Sequence, residues 1–219
     1  AYVSSWLKRY HPAAFCCALL NSQPMGFYAP AQLIKDAERH GVIILPADVN
    51  QSHYDSTLEF DSSYVKPNSP CHDHTEAKIR IGLRAVKGLS RTGAEAILEA
   101  RQGRAFDTVQ GLVFQSGINR KDLEALAAAD ALYQLSGDRH RAFWQASGIE
   151  TAGQNVRSAN SGSQMLFFSD PGFDSDFGAD VLLPVASESQ NIAADYRSTG
   201  FTLRRHPLAL FRSHLNQSS

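Results

Sequence analysis

Apolar residues recur at helical spacing through positions 2–41. Val3, Trp6, Leu7 and Tyr10 share one face, Pro12 can open a second helix, and Pro30 opens a third with Leu33, Ile34 and Ala37 on one side. Gly41 ends that run. The pattern then shortens to strand-like pieces in "VIILP", "YDSTLEF" and "KIRIG", with a Pro- and Ser-containing loop at Lys66–His74 between the last two. From Leu83 to about Ser147 the helical period returns, interrupted at Gly88, Gly103, Gly117 and Gly137. A polar stretch without periodicity, "ETAGQNVRSANSGS", reads as a flexible linker between about Glu150 and Ser163. Two further helical stretches, Glu188–Ser198 and Pro207–Leu215, follow an acidic loop that holds Pro171 and Gly172. The fold class is mainly α with a small mixed α/β part. Trp6 and Trp144 read as core aromatics.

The interruption at Gly88 is the most informative. Glycine ends a helix at low cost because it has no Cβ, and Ser90 is a good N-cap for the next helix, so "VKGLSRTGAEAI" predicts helix, tight turn, helix. Such a turn aims the N–H groups of Leu89, Ser90 and Arg91, with the positive end of the following helix, at one point, and Lys87 and Arg91 favour an anion there. The segment "QSGINRKDLEAL" repeats the design with Gly117, Ile118, Asn119 and Arg120. Ile118 is expected to plug the space between its flanking helices as Leu89 does in the first copy.

At 219 residues and 43% apolar content the chain can bury a real core. No stretch approaches the roughly 20 apolar residues of a membrane span. The N-terminus has no signal architecture, and opening on Ala1 within a helical pattern suggests a piece of a longer protein. Three cysteines make no disulfide framework and fit a reducing cytoplasm. Cys71, His72, Asp73 and His74 are all metal-ligand types, but no second spaced pair accompanies them, so a polar loop is the expectation and a metal is not.

The net charge of −1 hides an uneven distribution. Between Lys78 and Arg104, seven cations (Lys78, Arg80, Arg84, Lys87, Arg91, Arg101, Arg104) face only Glu95 and Glu99, a balance of +5. Residues 151–195 balance to −5. A basic stretch around a glycine turn is what phosphate binding requires, although a run of cations is more commonly a solvated face.

Gly88-Leu89-Ser90 between helices, with Ala94 and Ile97 at the packing positions, resembles the helix-hairpin-helix motif, a sequence-independent binder of DNA backbone. The N-terminal stretch from "YVSSWLKRYHP" through "LLNSQPMGFY" to "VIILPADVN" resembles the end of the fingers region of bacterial DNA polymerase III alpha subunits. With "DYRSTGFTLRRHPLALFR" near the other end, it is most similar to their error-prone, ImuC-type paralogue of damage-induced mutagenesis. The resemblance covers nearly all the chain. It implies an end of fingers at 1–77, a tandem helix-hairpin-helix domain at 78–149, a linker at 150–187, and at 188–219 a helical lead-in to an oligonucleotide-binding barrel. The family's catalytic carboxylates and their metal ions, Mg, lie in a palm upstream, and no Asp pair here matches them. The chain itself is therefore expected to be inactive and to need no cofactor. Its implied DNA-binding residues are Lys87, Gly88, Leu89, Ser90, Arg91, Gly117, Ile118, Asn119 and Arg120.

Two alternatives accompany that implication. Base-excision glycosylases carry the same hairpin, but Thr92 stands where their lyase members hold a Lys, and three cysteines exclude the four-cysteine cluster many of them have. A mainly structural, protein-interaction role within a replicative alpha subunit is the stronger rival, because Ser90 replaces the second Gly of the commonest hairpin pattern. Gln164, Met165, Leu166, Phe167 and Phe168 resemble the peptide that docks bacterial replicative polymerases on the sliding clamp. The error-prone branch generally reaches the clamp through an ImuB-type partner, and the same residues fit an internal anchor, the reading favoured here.

Overall fold

A computed structural model of the chain describes residues 2–60, 77–158 and 186–210. Cys71–His74 and Gln164–Phe168 lie outside the described residues. Three helices open the fold: α1 (Tyr2–Tyr10), α2 (Pro12–Asn21) and α3 (Pro30–Arg39). Pro12 and Pro30 each occupy the first turn, where the missing N–H has no helical partner to lose. Helix α2 turns Ala13, Cys16, Cys17 and Leu20 inward, and α3 turns Leu33, Ile34 and Ala37 towards them. Burial pushes the Cys16 thiol up to about 12, so it packs as a small hydrophobe. By contrast α1 has no buried residue. Trp6 and Trp144 are 42% and 58% exposed, so neither is the core residue its size suggested.

The mixed part is one three-stranded sheet of β1 (Ile44–Leu45), β3 (Lys78–Arg80) and β2 (Thr57–Glu59), in the order β1-β3-β2. The central strand β3 runs parallel to β1 and antiparallel to β2, with Ile79 opposite both Ile44 and Leu58. Ile79 and Ile81 are fully buried, while Arg80 points to the opposite face and is itself covered. Its guanidinium donates to Glu59 and to Gln51, which is how a buried cation is tolerated.

The stretch before Gly88 corrects the helical expectation from Leu83 onward. Strand β3 ends at Arg80, and the few residues left before the turn form only a 3-10 turn at Leu83–Ala85. Then follow α4 (Arg91–Arg101), α5 (Val109–Ser116), α6 (Arg120–Ala128), the single turn α7 (Tyr133–Ser136) and α8 (Arg139–Ser158). Helix α8 extends past Glu150 into the stretch read as linker. No proline interrupts it, and a polar helix without a proline can continue where periodicity alone gives no sign of one. Helix α9 (Glu188–Ser198) has the expected bounds, and a further helical turn begins at Pro207.

A single core joins these parts, from Cys16 and Ile34 through Ile79 and Leu83 to Ile97, Leu112, Leu126 and Leu132. Polar ties reinforce it. Asn50 exchanges two 2.9 Å hydrogen bonds with the backbone of Phe106, and Val49 N–H donates to Ala131 O. No helix among the described residues is long and apolar enough to cross a membrane.

Candidate nucleic-acid interface

The two glycine turns are built alike. Gly88 and Gly117 have φ of 90° and 62°, left-handed conformations that a Cβ would strain. Leu89 and Ile118 follow and pack towards the core, Ile118 being 8% exposed. Ser90 caps α4 by accepting from Gly93 N–H, and Asn119 caps α6 by accepting from Asp122 N–H, each at 2.9 Å. Arg91 and Arg120 are the first residues of their helices and pair one turn on, Arg91 with Glu95 and Arg120 with Glu124. The repeat read from the sequence is therefore present in three dimensions.

One residue the sequence reading passed over joins the two turns. Asp122 is 1% exposed, and its carboxylate accepts from Ser90 N–H at 2.7 Å, Ser90 Oγ at 2.8 Å and Asn119 Nδ2 at 2.8 Å. The N-terminal ends of α4 and α6 thus converge on one buried anion, where three hydrogen bonds and two positive helix ends offset its desolvation. A Cβ at Gly93 would collide with that carboxylate. "SRTG" and "NRKD" are equivalent tetrads that differ in charge at their third and last positions, but nothing in their spacing sets the Asp of one against the Ser of the other.

At the first turn, two of the three N–H groups expected to face an anion are already donated. Ser90 N–H is already donated to Asp122, and Leu89 N–H to Val86 O at 3.4 Å. In the second turn, Ile118 and Asn119 N–H have no hydrogen-bond partner among the described residues. Lys87 is also engaged. Its N–H donates to Ser198 O at 2.7 Å, and its ammonium reaches Tyr196 O at the end of α9. Arg91 remains outward, with its guanidinium 5.5 Å from the ring centroid of Tyr54, an aromatic partner the sequence did not announce.

The +5 stretch is less of a patch than its composition implies. Arg80 is held by Glu59, Arg101 donates to Val49 O and Ser52 O, and Arg84 donates to Asp55 and to the carbonyls of Asn21 and Gln23. These three hold the sheet, the hairpins and the first helices together. Arg104 pairs with Asp107 in solvent.

Two glycine turns with polar caps, related as a repeat and locked through one carboxylate, define a tandem helix-hairpin-helix protein. In agreement, residues 41–142 match the family model described as a helix-hairpin-helix motif. Over 99% of its length the chain is 44% identical to an error-prone DNA polymerase of Methylococcus capsulatus. It is 46% identical over 98% to one of Bordetella parapertussis and 44% identical over 96% to one of Teredinibacter turnerae. The chain belongs to the bacterial C-family error-prone DNA polymerases, as a segment of them. It spans about a fifth of the length of these relatives, 20%, 18% and 18%.

Proposed function

We propose that this chain is the DNA-backbone-binding segment of an error-prone, translesion DNA polymerase of the bacterial cytoplasm. The observation that carries the reading is the paired turn: two left-handed glycines, two polar caps and two outward arginines at equivalent positions, Arg91 and Arg120. Neutral N–H groups and cations at helix starts recognise phosphate and are indifferent to base sequence. The exposed ion pairs with Glu95 and Glu124 are no obstacle, because exposed pairs of this kind exchange readily for a phosphate. Nucleotidyl transfer, with Mg held by palm carboxylates, is assigned in this reading to parts of the polymerase outside this chain.

Duplex binding measured by fluorescence anisotropy tests it. With two to four phosphate contacts, log K should fall against log salt with a slope of roughly −2 to −4. Replacing Arg91 and Arg120 together by Ala should weaken all sequences alike and flatten the slope by about 2. Affinity unchanged by that double replacement would favour the structural rival, which has its own support in Lys87, whose ammonium is spent on α9.

Partner contacts belong to the same proposal. Gln164, Met165, Leu166, Phe167 and Phe168 either meet the sliding clamp or anchor within the chain, an ImuB-type protein then bridging to the clamp. Binding of the chain to a purified clamp, abolished by replacing Phe167 and Phe168 with Ala, would establish the direct contact. No binding would leave the bridge.

A further inference from the structure

The two turns differ at the third position of the helix each one opens, Gly93 in α4 and Asp122 in α6. In a capping box the side chain at the third helical position reaches back to the N–H of its own N-cap residue. In α6 that third residue is Asp122, yet its carboxylate does not return to Asn119 N–H. It crosses to the other hairpin and accepts from Ser90 N–H and Ser90 Oγ. In α4 the third residue is Gly93, which has no side chain to close a box on Ser90, and a Cβ there would strike Asp122.

We infer that the hairpins share one swapped capping box, and that Asp122 is a positioning residue that closes the first turn and leaves the second open. The carboxylate fills, at the first turn, the place an anion would take. Because it is spent there, Asn119 N–H keeps no partner among the described residues, and with Ile118 N–H and the Arg120 side chain it forms the phosphate contact. Asn119 Nδ2 donates to the same carboxylate oxygen as Ser90 Oγ, so the open turn is held at a fixed offset from the closed one. The first turn then acts as a brace, with Arg91 as a peripheral cation. This assignment rests on the DNA-backbone reading for its ligand, but the swapped cap itself does not.

Residue-resolved amide exchange and a titration with a short DNA duplex, both by NMR on the intact chain, separate the two. After correction for intrinsic rates, Ser90 N–H should exchange at least about tenfold more slowly than Asn119 N–H, as expected of a hydrogen bond to a buried charge. The duplex should shift Ile118 and Asn119 amides and leave Ser90 in place. Asp122→Asn should lose most of the Ser90 protection and let its amide respond to DNA. Equal exchange at Ser90 and Asn119 in the unaltered chain overturns the swapped cap, whether or not the variant folds. Ser90 and Asn119 shifting together on DNA overturns the division of labour. A duplex that shifts neither defeats the DNA reading alone, and the exchange contrast still judges the coupling.

Discussion

Arg80 shows how one side chain can mislead a charge count and still explain a fold. It contributes to the +5 stretch, yet it is 8% exposed and bonded to Glu59 through Nε at 2.7 Å and Nη2 at 3.1 Å. The hydrogen bond from Arg80 holds the Glu59 carboxyl below its ordinary range, against the opposing effect of burial. A carboxylate depressed in the folded state contributes stability that is present above its unfolded value, about 4.3, and lost as pH falls through the folded value. Glu59→Gln should therefore cost about 1 kcal/mol at pH 7, a figure reduced for solvent screening at its part-exposed oxygens. Urea melts of both proteins at pH 7 and again near pH 3 would check this. The gap should close in acid, and a gap of the same size at both pH values would refute the account.

Among elements, the legible ones are those whose signals are local. Gly117, Asn119 and the apolar spacing of α6 lie within a dozen positions, so a turn, a cap and a helix could be read without knowing the rest of the fold. The same holds for Pro12, Pro30 and the helices they open. What escaped was set by distant partners. Leu83–Ala85 is a 3-10 turn because β3 must end in the sheet just before it. Trp6 has helical spacing with Leu7 and Tyr10 but faces outward, since α1 lies at the edge of the described fold. At the interface, both arginines and both caps were legible, while Asp122 and Tyr54 were not. Their roles arise from Ser90, 32 residues before Asp122, and from Arg91, beyond the range of any spacing rule.

At the scale of the whole molecule, the segment 186–210 returns to the hairpins and is fastened there by charge. Arg139, 7% exposed, donates to Asp195 Oδ1 and to Asn191 O; Thr202 Oγ1 donates to Asp195 Oδ2; and Arg204 reaches Asp130. Ile192 and Phe201 supply the apolar part, and the backbone of Lys87 supplies a hydrogen bond beside the first turn. Asp195→Asn removes the nearest charged partner of the buried Arg139 and leaves it Asp130 at 4.0 Å, at a cost of about 1–3 kcal/mol. Asp195 also holds Thr202 and Arg204, so Asp195→Asn should undock α9 while the hairpin core persists. Amides of α9 should then exchange faster, with those of Ile97 and Leu126 unchanged. Release of α9 also frees the Lys87 ammonium from Tyr196 O, which adds one cation at the edge of the interface. The variant should bind duplex at low salt more tightly than the unaltered chain, with a salt slope steeper by about 1. If exchange rises equally in α9 and in the core, or if affinity falls, the segment is part of one cooperative unit and its docking does not restrain Lys87.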